Sequence, residues 1–269
     1  MNENAFERIK IARKSGRPTA IDYVNSMFSD FVELHGDRRG TDDKAVVGGV
    51  ARLYGEPITV IAIEKGKTAE ERVFRNFGMS GAGGYGKALR LMKQAEKFRR
   101  PIITIVDTQG AKCDREAEEN GVGQAIAENL RAMSLLKTPI IALLIGEAGS
   151  GGALGFALAD RVFMTENAYY SVITPEGCAG ILLNDAKKAD IAAEWLKPTA
   201  EEGKKAGAVD VIFDEPKDFA DEPKKQFFMK QIADALYKEI ITLQNENEEE
   251  LLEKRYNKYR QIGKNHDFY

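Results

Sequence analysis

The stretch Thr138–Asp160, TPIIALLIGEAGSGGALGFALAD, decides the fold. Pro139 opens an apolar, partly β-branched run, Ile140 to Ile145, with the length and composition of a buried strand. Gly146-Glu-Ala-Gly-Ser-Gly-Gly152 follows, and then small residues from Ala153 to Ala159 that read as a helix. A strand passing through glycines into a helix leaves N–H groups unpaired at the positive end of that helix. Such a terminus suits a phosphate, or an oxygen that becomes negative during reaction.

Spacing tests the sharper readings of this turn. Gly146 and Gly151 fit a P-loop, but Gly152 stands where its lysine belongs. A dinucleotide fingerprint on Gly149 and Gly151 fails at Leu154. The segment Ala148-Gly-Ser150-Gly-Gly152 differs from a nucleophile elbow only by alanine for the first glycine, which makes Ser150 a candidate nucleophile. A close-packed turn without chemistry stands as the alternative.

The 269 residues are 43% hydrophobic and 30% charged, enough for one large α/β domain or two small ones with a solvated surface. The net charge of −3 and the lack of a basic block give no footprint for nucleic acid. Cys113 and Cys178 form neither a disulfide framework nor a Cys-x-x-Cys zinc pair. The polar N-terminal stretch has no signal-peptide core, and the longest apolar run is too short and glycine-broken to span a bilayer, so a cytoplasmic protein away from membranes is expected.

Before the deciding stretch, the spacing predicts a helix over Ala20–Leu34, then strands in AVVGGVARLYG and PITVIAIEKG around a turn at 54–57. Lys65, Lys67, Arg72 and Arg75 form a basic cluster, read as a solvated loop or a seat for an acidic ligand. A glycine-rich loop over 76–85 precedes a helix from Lys87 to Phe98. Then come a strand over Ile102–Asp107, a loop over 108–114 and a helix over Glu118–Leu136. Strands follow over 161–165 and 169–173, then a Thr174–Gly177 loop, and helices dominate from Ala186 onward, with a short strand over 209–213. The charged segment 246–261 reads as a peripheral or interfacial helix. Alternating strands and helices predict a mainly parallel sheet, with loops 65–84, 108–116, 146–152 and 174–178 converging at strand ends.

A serine hydrolase needs a histidine base, but His35 reads as a helix-end polar residue and His266 sits in a polar tail. No histidine or cysteine spacing suits a metal. Backbone N–H groups that stabilise an anion, with reactive groups supplied by substrate or cofactor, remain.

The sequence resembles the α subunits of bacterial acetyl-CoA carboxylase carboxyltransferases. The likeness runs through RPTAIDYVNSMFSDFVELHGDR, DDKAVVGGVARLYGEPITVIAIEKG, RNFGM, KALRLMKQAEKF, PIITIVDTQGA, IAENLRAMS, IGEAGSGGAL, YSVITPEGCA and LLEKRYNKYRQIG. It implies an α/β, crotonase-like fold of repeated ββα units, with an N-terminal helical segment (1–40), a core (41–215) and a C-terminal helical segment (216–269). It implies transfer of a carboxyl group from carboxybiotin, held on a biotin carboxyl carrier protein, to acetyl-CoA, giving malonyl-CoA for fatty acid synthesis within an ATP-binding complex. It implies a partner β subunit carrying a zinc ribbon, in an α2β2 heterotetramer, with no metal in this chain. Gly151 and Gly152 would donate to the biotin carbonyl oxygen, and Gly149, Ser150, Gly110, Ala111, Pro175, Glu176 and Gly177 would line the site.

The departures cluster in the same loops. The family pattern Asp-Thr-Pro/Ala-Gly-Ala-Tyr-Pro-Gly is Asp107-Thr-Gln-Gly-Ala-Lys112-Cys113-Asp114 here, Pro-Glu-Gly-Tyr is Ala82-Gly-Gly-Tyr85, and the first glycine of Gly-Gly-Ser-Gly-Gly is Ala148. Three alternatives therefore stand beside the main reading: an acyl-CoA hydrolase or decarboxylase using Ser150 or Lys112 and Asp114, a paralogue with a changed acyl substrate, and a structural subunit.

Overall fold

The computed structural model describes residues 4–264, so His266 lies outside the described residues. Helices α1 (Ala5–Ala12) and α2 (Ala20–Met27) lead into strands β1 (Ser29–Glu33), β2 (Val46–Leu53) and β3 (Glu56–Ile63). Then follow α3 (Ala69–Phe74), α4 (Ala82–Lys97), β4 (Ile102–Thr108), α5 (Arg115–Glu119) and α6 (Val122–Leu135). The deciding stretch supplies β5 (Ile140–Gly149) and α7 (Ser150–Ala157), followed by β6 (Arg161–Thr165) and β7 (Tyr169–Ser171). The remainder is α8 (Pro175–Leu182), α9 (Ala189–Leu196), α10 (Ala200–Lys205), β8 (Val211–Phe213), α11 (Glu222–Gln244) and α12 (Glu248–Gln261).

One sheet runs in the order β1-β2-β3-β4-β5-β6-β8, and β7 joins the far end of β5. The first three strands are antiparallel and the others parallel. Both faces are covered, which is why the central strands read as unbroken apolar runs. Ile102, Val106, Ile140 and Leu144 pack with Leu91 and Met92 of α4, Met133 of α6 and Phe156 of α7. Ile103, Ile105, Ile141 and Leu143 face the opposite way, onto Tyr23 and Val24 of α2 and Ile232, Leu236 and Ile240 of α11.

Several boundaries differ from the sequence expectations. The helix expected to Leu34 stops at Met27: Phe28 is extended, and Ser29–Glu33 pairs with β2. Edge pairing decides there, because Phe28 and Phe31 suit either period. Helix α4 starts at Ala82 instead of Lys87, so Gly83, Gly84 and Gly86 are helical. A Cβ at Gly84 would lie 2.1 Å from Ser80 Oγ, so close packing, not looseness, explains that glycine. The helix expected over Glu118–Leu136 breaks at Gly121, whose φ of +73° admits glycine readily. Residues 174–177 are not a loop but the start of α8, with Thr174 as cap and Pro175 in the first turn.

Helix α12 is more than a peripheral element. Arg255 is buried, donating from Nε and Nη2 to Asp160 at 2.7 and 2.8 Å and from Nη1 to the Met133 and Leu136 carbonyls at 2.7 Å each. Asp160 also accepts from Ile140 N at 2.7 Å, so one arginine fastens both ends of the β5–α7 unit.

Candidate active site

Strand β5 delivers its C-terminal end into the turn, and α7 begins there without any side-chain cap. Its first N–H groups are therefore orphan donors at a positive helix end. The carbonyls behind them are taken: Tyr85 Oη donates to Gly152 O at 3.1 Å, Asn129 Nδ2 to Gly155 O at 3.1 Å and Thr104 Oγ1 to Phe156 O at 2.6 Å. The short helix is thus gripped from α4, α6 and β4 while its donor end carries no protein acceptor from a capping side chain.

The loop after β4 lies directly on this turn. A Cβ at Gly149 would sit 2.1 Å from Gln109 O, and one at Gly152 would sit 2.3 Å from Ala111 N and 2.4 Å from Gly110 C. Backbone thus packs on backbone, bringing Gly110 and Ala111 together with Gly149 and Gly152 as the sequence suggests. Gly151 differs, since its Cβ position meets nothing nearer than Ile126 at 3.8 Å. Ser150 holds a φ of +47°, a sparsely populated conformation for a residue with a side chain. Among the described residues no histidine is placed to serve it: the one described, His35, has its Nδ1 3.2 Å from Asp42.

Beneath the turn lies an ionic cluster. Lys65 Nζ reaches Asp107 Oδ1 at 2.8 Å and Glu147 Oε1 at 2.6 Å. Arg13 Nε donates to Glu147 Oε2 at 2.9 Å and its Nη1 to Glu176 Oε1 at 2.7 Å. Tyr169 Oη donates to Glu147 Oε2 at 2.5 Å. Burial opposes ionisation of Glu147, but Lys65, Tyr169 and Arg13 outweigh it and hold the carboxyl down at about 2. Burial likewise opposes charge on Lys65, and Asp107 and Glu147 keep it above the usual lysine range. Burial and Glu147 push the Tyr169 phenol up.

Pro175, Glu176 and Gly177 reach this region at one remove, as Glu176 joins Glu147 only through Arg13. Lys112 and Asp114 carry no visible chemistry: Lys112 Nζ pairs with Glu116 at 2.7 Å, and Asp114 caps α5 by accepting from Ala117 N at 2.9 Å. Lys65 is not part of a solvated loop, which corrects that half of the sequence reading. Two clefts lie in this region, and neither is lined by Gly149–Gly152. One of about 890 Å³ is lined by Gly81–Gly83, Lys112 and Gln124, and one of about 460 Å³ by Lys65, Asp107, Gln109 and Glu147. Among the described residues no group of three or more potential ligands is arranged for a metal, and no helix is long and apolar enough to cross a membrane.

Sequence reasoning missed Arg13, Asp107, Glu147 and Tyr169. The available signal was a carboxylate closing each of two apolar runs, IITIVD and IIALLIGE. A charge at such a depth is costly unless paired.

The chain matches the acetyl co-enzyme A carboxylase carboxyltransferase-like family over residues 2–263. It is 49% identical over 259 residues to the acetyl-coenzyme A carboxylase carboxyl transferase subunit alpha of Clostridium acetobutylicum, covering 96% of this chain and 94% of that protein. It is 48% identical to the carboxyl transferase subunits beta/alpha of Natranaerobius thermophilus, spanning 96% of this chain but only 43% of that longer protein. Among solved structures, transcarboxylase 12S aligns with a TM-score of 0.66 at 20% identity, over 84% of this chain and 42% of that one. A Pseudomonas malonate decarboxylase hetero-tetramer aligns with a TM-score of 0.63 at 19% identity, over 82% of this chain and 89% of that one. The fold is the α/β, crotonase-like one shared with these structures.

Proposed function

This chain belongs to the acetyl-CoA carboxylase carboxyltransferase-like family, and on that basis we propose that it is the alpha subunit of a biotin-dependent acetyl-CoA carboxyltransferase that makes malonyl-CoA. The observation that carries the site assignment is the uncapped start of α7, packed so that its donors have a fixed aim.

Carboxybiotin, when bound, supplies the carboxyl group and a ureido group able to take the acetyl methyl proton. The N–H groups of Gly151 and Gly152 would hold the ureido oxygen of bound carboxybiotin and would stabilise negative charge on it. One preorganised donor of this kind is worth about 10²–10³ in rate. Gly149, Ser150, Gly110 and Ala111 form the backbone wall beside the donors, and the Pro175–Gly177 turn is a rim tied in through Arg13. The residues fit an acceptor-bearing, uncharged ring: they offer donors without a competing carboxylate on Gly149–Gly152.

The reading assigns the acyl-CoA site largely to a beta subunit with a zinc ribbon, the biotin to a separate carrier protein, and the assembly to a cytoplasmic α2β2 complex. The relative that joins beta and alpha in one chain supports a beta partner. Ser150 in its strained conformation favours a hydrolase instead, and the lack of a histidine beside it among the described residues weighs against that. Co-expression with a zinc-ribbon carboxyltransferase subunit tests the assignment. Carboxyl transfer from malonyl-CoA to free biotin is expected from the pair and not from either chain alone. Biotin-independent acyl-CoA turnover that disappears in Ser150→Ala would overturn it.

A further inference from the structure

Strands β4 and β5 pair residue for residue from Ile102↔Ile140 to Val106↔Leu144, and the next pair is Thr108↔Ala148. One residue of β4, Asp107, therefore stands opposite three of β5, Ile145, Gly146 and Glu147. Such a bulge bends its strand and re-aims the residues beyond it. Here the bend carries β5 away from β6, its neighbour up to Leu144, and onto β7, which pairs with Glu147–Gly149.

Bulged backbone groups lose their ladder partners and need others. Arg17 Nη2 donates to Ile145 O at 3.0 Å, and Asp107 Oδ1 accepts from Glu147 N at 2.9 Å. A Cβ at Gly146 would lie 2.5 Å from Asp107 Oδ1, so the carboxylate occupies the space that only glycine leaves. That carboxylate is fixed in turn by Lys65, which arrives from the end of β3 and bridges it to Glu147. Gly78, at a φ of +76°, lets the chain pass over the lysine stem: its Cβ position is 2.9 Å from Lys65 Cγ.

We propose that Lys65 is a positioning residue for carboxyl transfer: its ammonium, shared by Asp107 and Glu147, holds the Ile145–Glu147 bulge and thereby aims the N–H groups at the start of α7. The proposal rests on the carboxyltransferase reading. Lys65 bonds to none of Gly149–Gly152, so it acts through the bulge and does not touch the reacting atoms. Without the ammonium, Asp107 loses the lysine that bridges it to Glu147 and Glu147 keeps only Arg13 as a cation, so the two carboxylates repel at the base of the turn and open it. Misplacing donors by about 1 Å costs about 10²-fold in rate.

The test uses the chain in complex with its beta-type partner, with Lys65→Met, Lys65→Arg and the double variant Lys65→Met/Glu147→Gln. Carboxyl transfer from malonyl-CoA to biotin and amide hydrogen exchange over residues 146–152 are both measured. Lys65→Met lowers kcat by about 30–100-fold with the KM for malonyl-CoA within about twofold, and speeds exchange in the turn. Lys65→Arg restores most of kcat by keeping the charge. The double variant also recovers kcat, because the glutamine amide donates to Asp107 in place of the ammonium, and it decides the matter if Lys65→Met does not fold. Unchanged exchange with unchanged kcat in Lys65→Met overturns the proposal. So does a folded double variant with native exchange and no recovered kcat, since Lys65 would then act otherwise. A wild-type complex without carboxyl transfer overturns the family-based reading instead, and the exchange comparison still decides whether Lys65 holds the turn.

Discussion

The turn Gly149–Gly152 and the loop Lys112–Asp114 lie at the ends of adjacent strands, and they are built in opposite ways. The turn has no charged side chain and no freedom: its backbone is pressed on Gln109–Ala111, gripped by Tyr85 and braced from below by the Lys65–Glu147 cluster. The loop is rich in charge, but its lysine and aspartate bond to their own helix and to each other at the surface. Preorganised backbone dipoles keep their aim without reorganisation, whereas solvated side chains do not. On the proposed function the chemistry therefore falls to the silent-looking segment, while the conspicuous one serves local structure.

The strongest way to break this contrast is inside the turn. Gly152→Val drives a side chain into the Gly110–Ala111 backbone, 2.3–2.4 Å from the Cβ position. Carboxyl transfer by the complex is expected to fall by more than about 10³-fold. Gly151→Ala, one residue away, meets only Ile126 at 3.8 Å. It should leave stability unchanged or raise it by about 0.5–1 kcal/mol, as thermal unfolding of the two variants side by side will read.

The brace under the turn has a pH signature. The folded-state value of Glu147, about 2, lies below its ordinary 4.5. A depressed carboxyl contributes stability that is complete above the unfolded value and disappears as pH falls through the folded one. Stability should thus decline between about pH 4.5 and 2, and Glu147→Gln should flatten that part of the curve in denaturant titrations across acid pH. An unaltered acid limb in the variant removes the brace from the account.

The smallest effect is expected in the loop. Lys112→Ala and Asp114→Ala should each keep carboxyl transfer within about twofold, as surface pairs contribute little. A larger loss in kcat for either would move the chemistry toward the loop and revive the acyl-CoA hydrolase alternative.

Much of this was legible in the chain. The apolar run to Ile145, the glycines and the small-residue helix announce a strand, a turn and an uncapped helix start, because period and glycine content act locally. The alternation of strands and helices gives the parallel sheet for the same reason. The segment over 28–34 was not legible, since Phe28 and Phe31 satisfy a helical and an extended pattern equally and the choice falls to pairing with β2. The brace was not legible either: Arg13, Lys65, Asp107, Glu147 and Tyr169 come from five separate segments, and nothing in their spacing says that they meet.

The family and the fold class are written in contiguous motifs whose physics is local, so the chain alone specifies them. Why each glycine is needed, and what packs against the start of α7, emerges only in the folded molecule. Gly152 answers to the Ala111 backbone and Gly146 to the Asp107 carboxylate, while Arg255 of the last helix clasps Asp160 behind the turn. Those are long-range contacts, and a contact exists only once two distant segments have been folded to the same place.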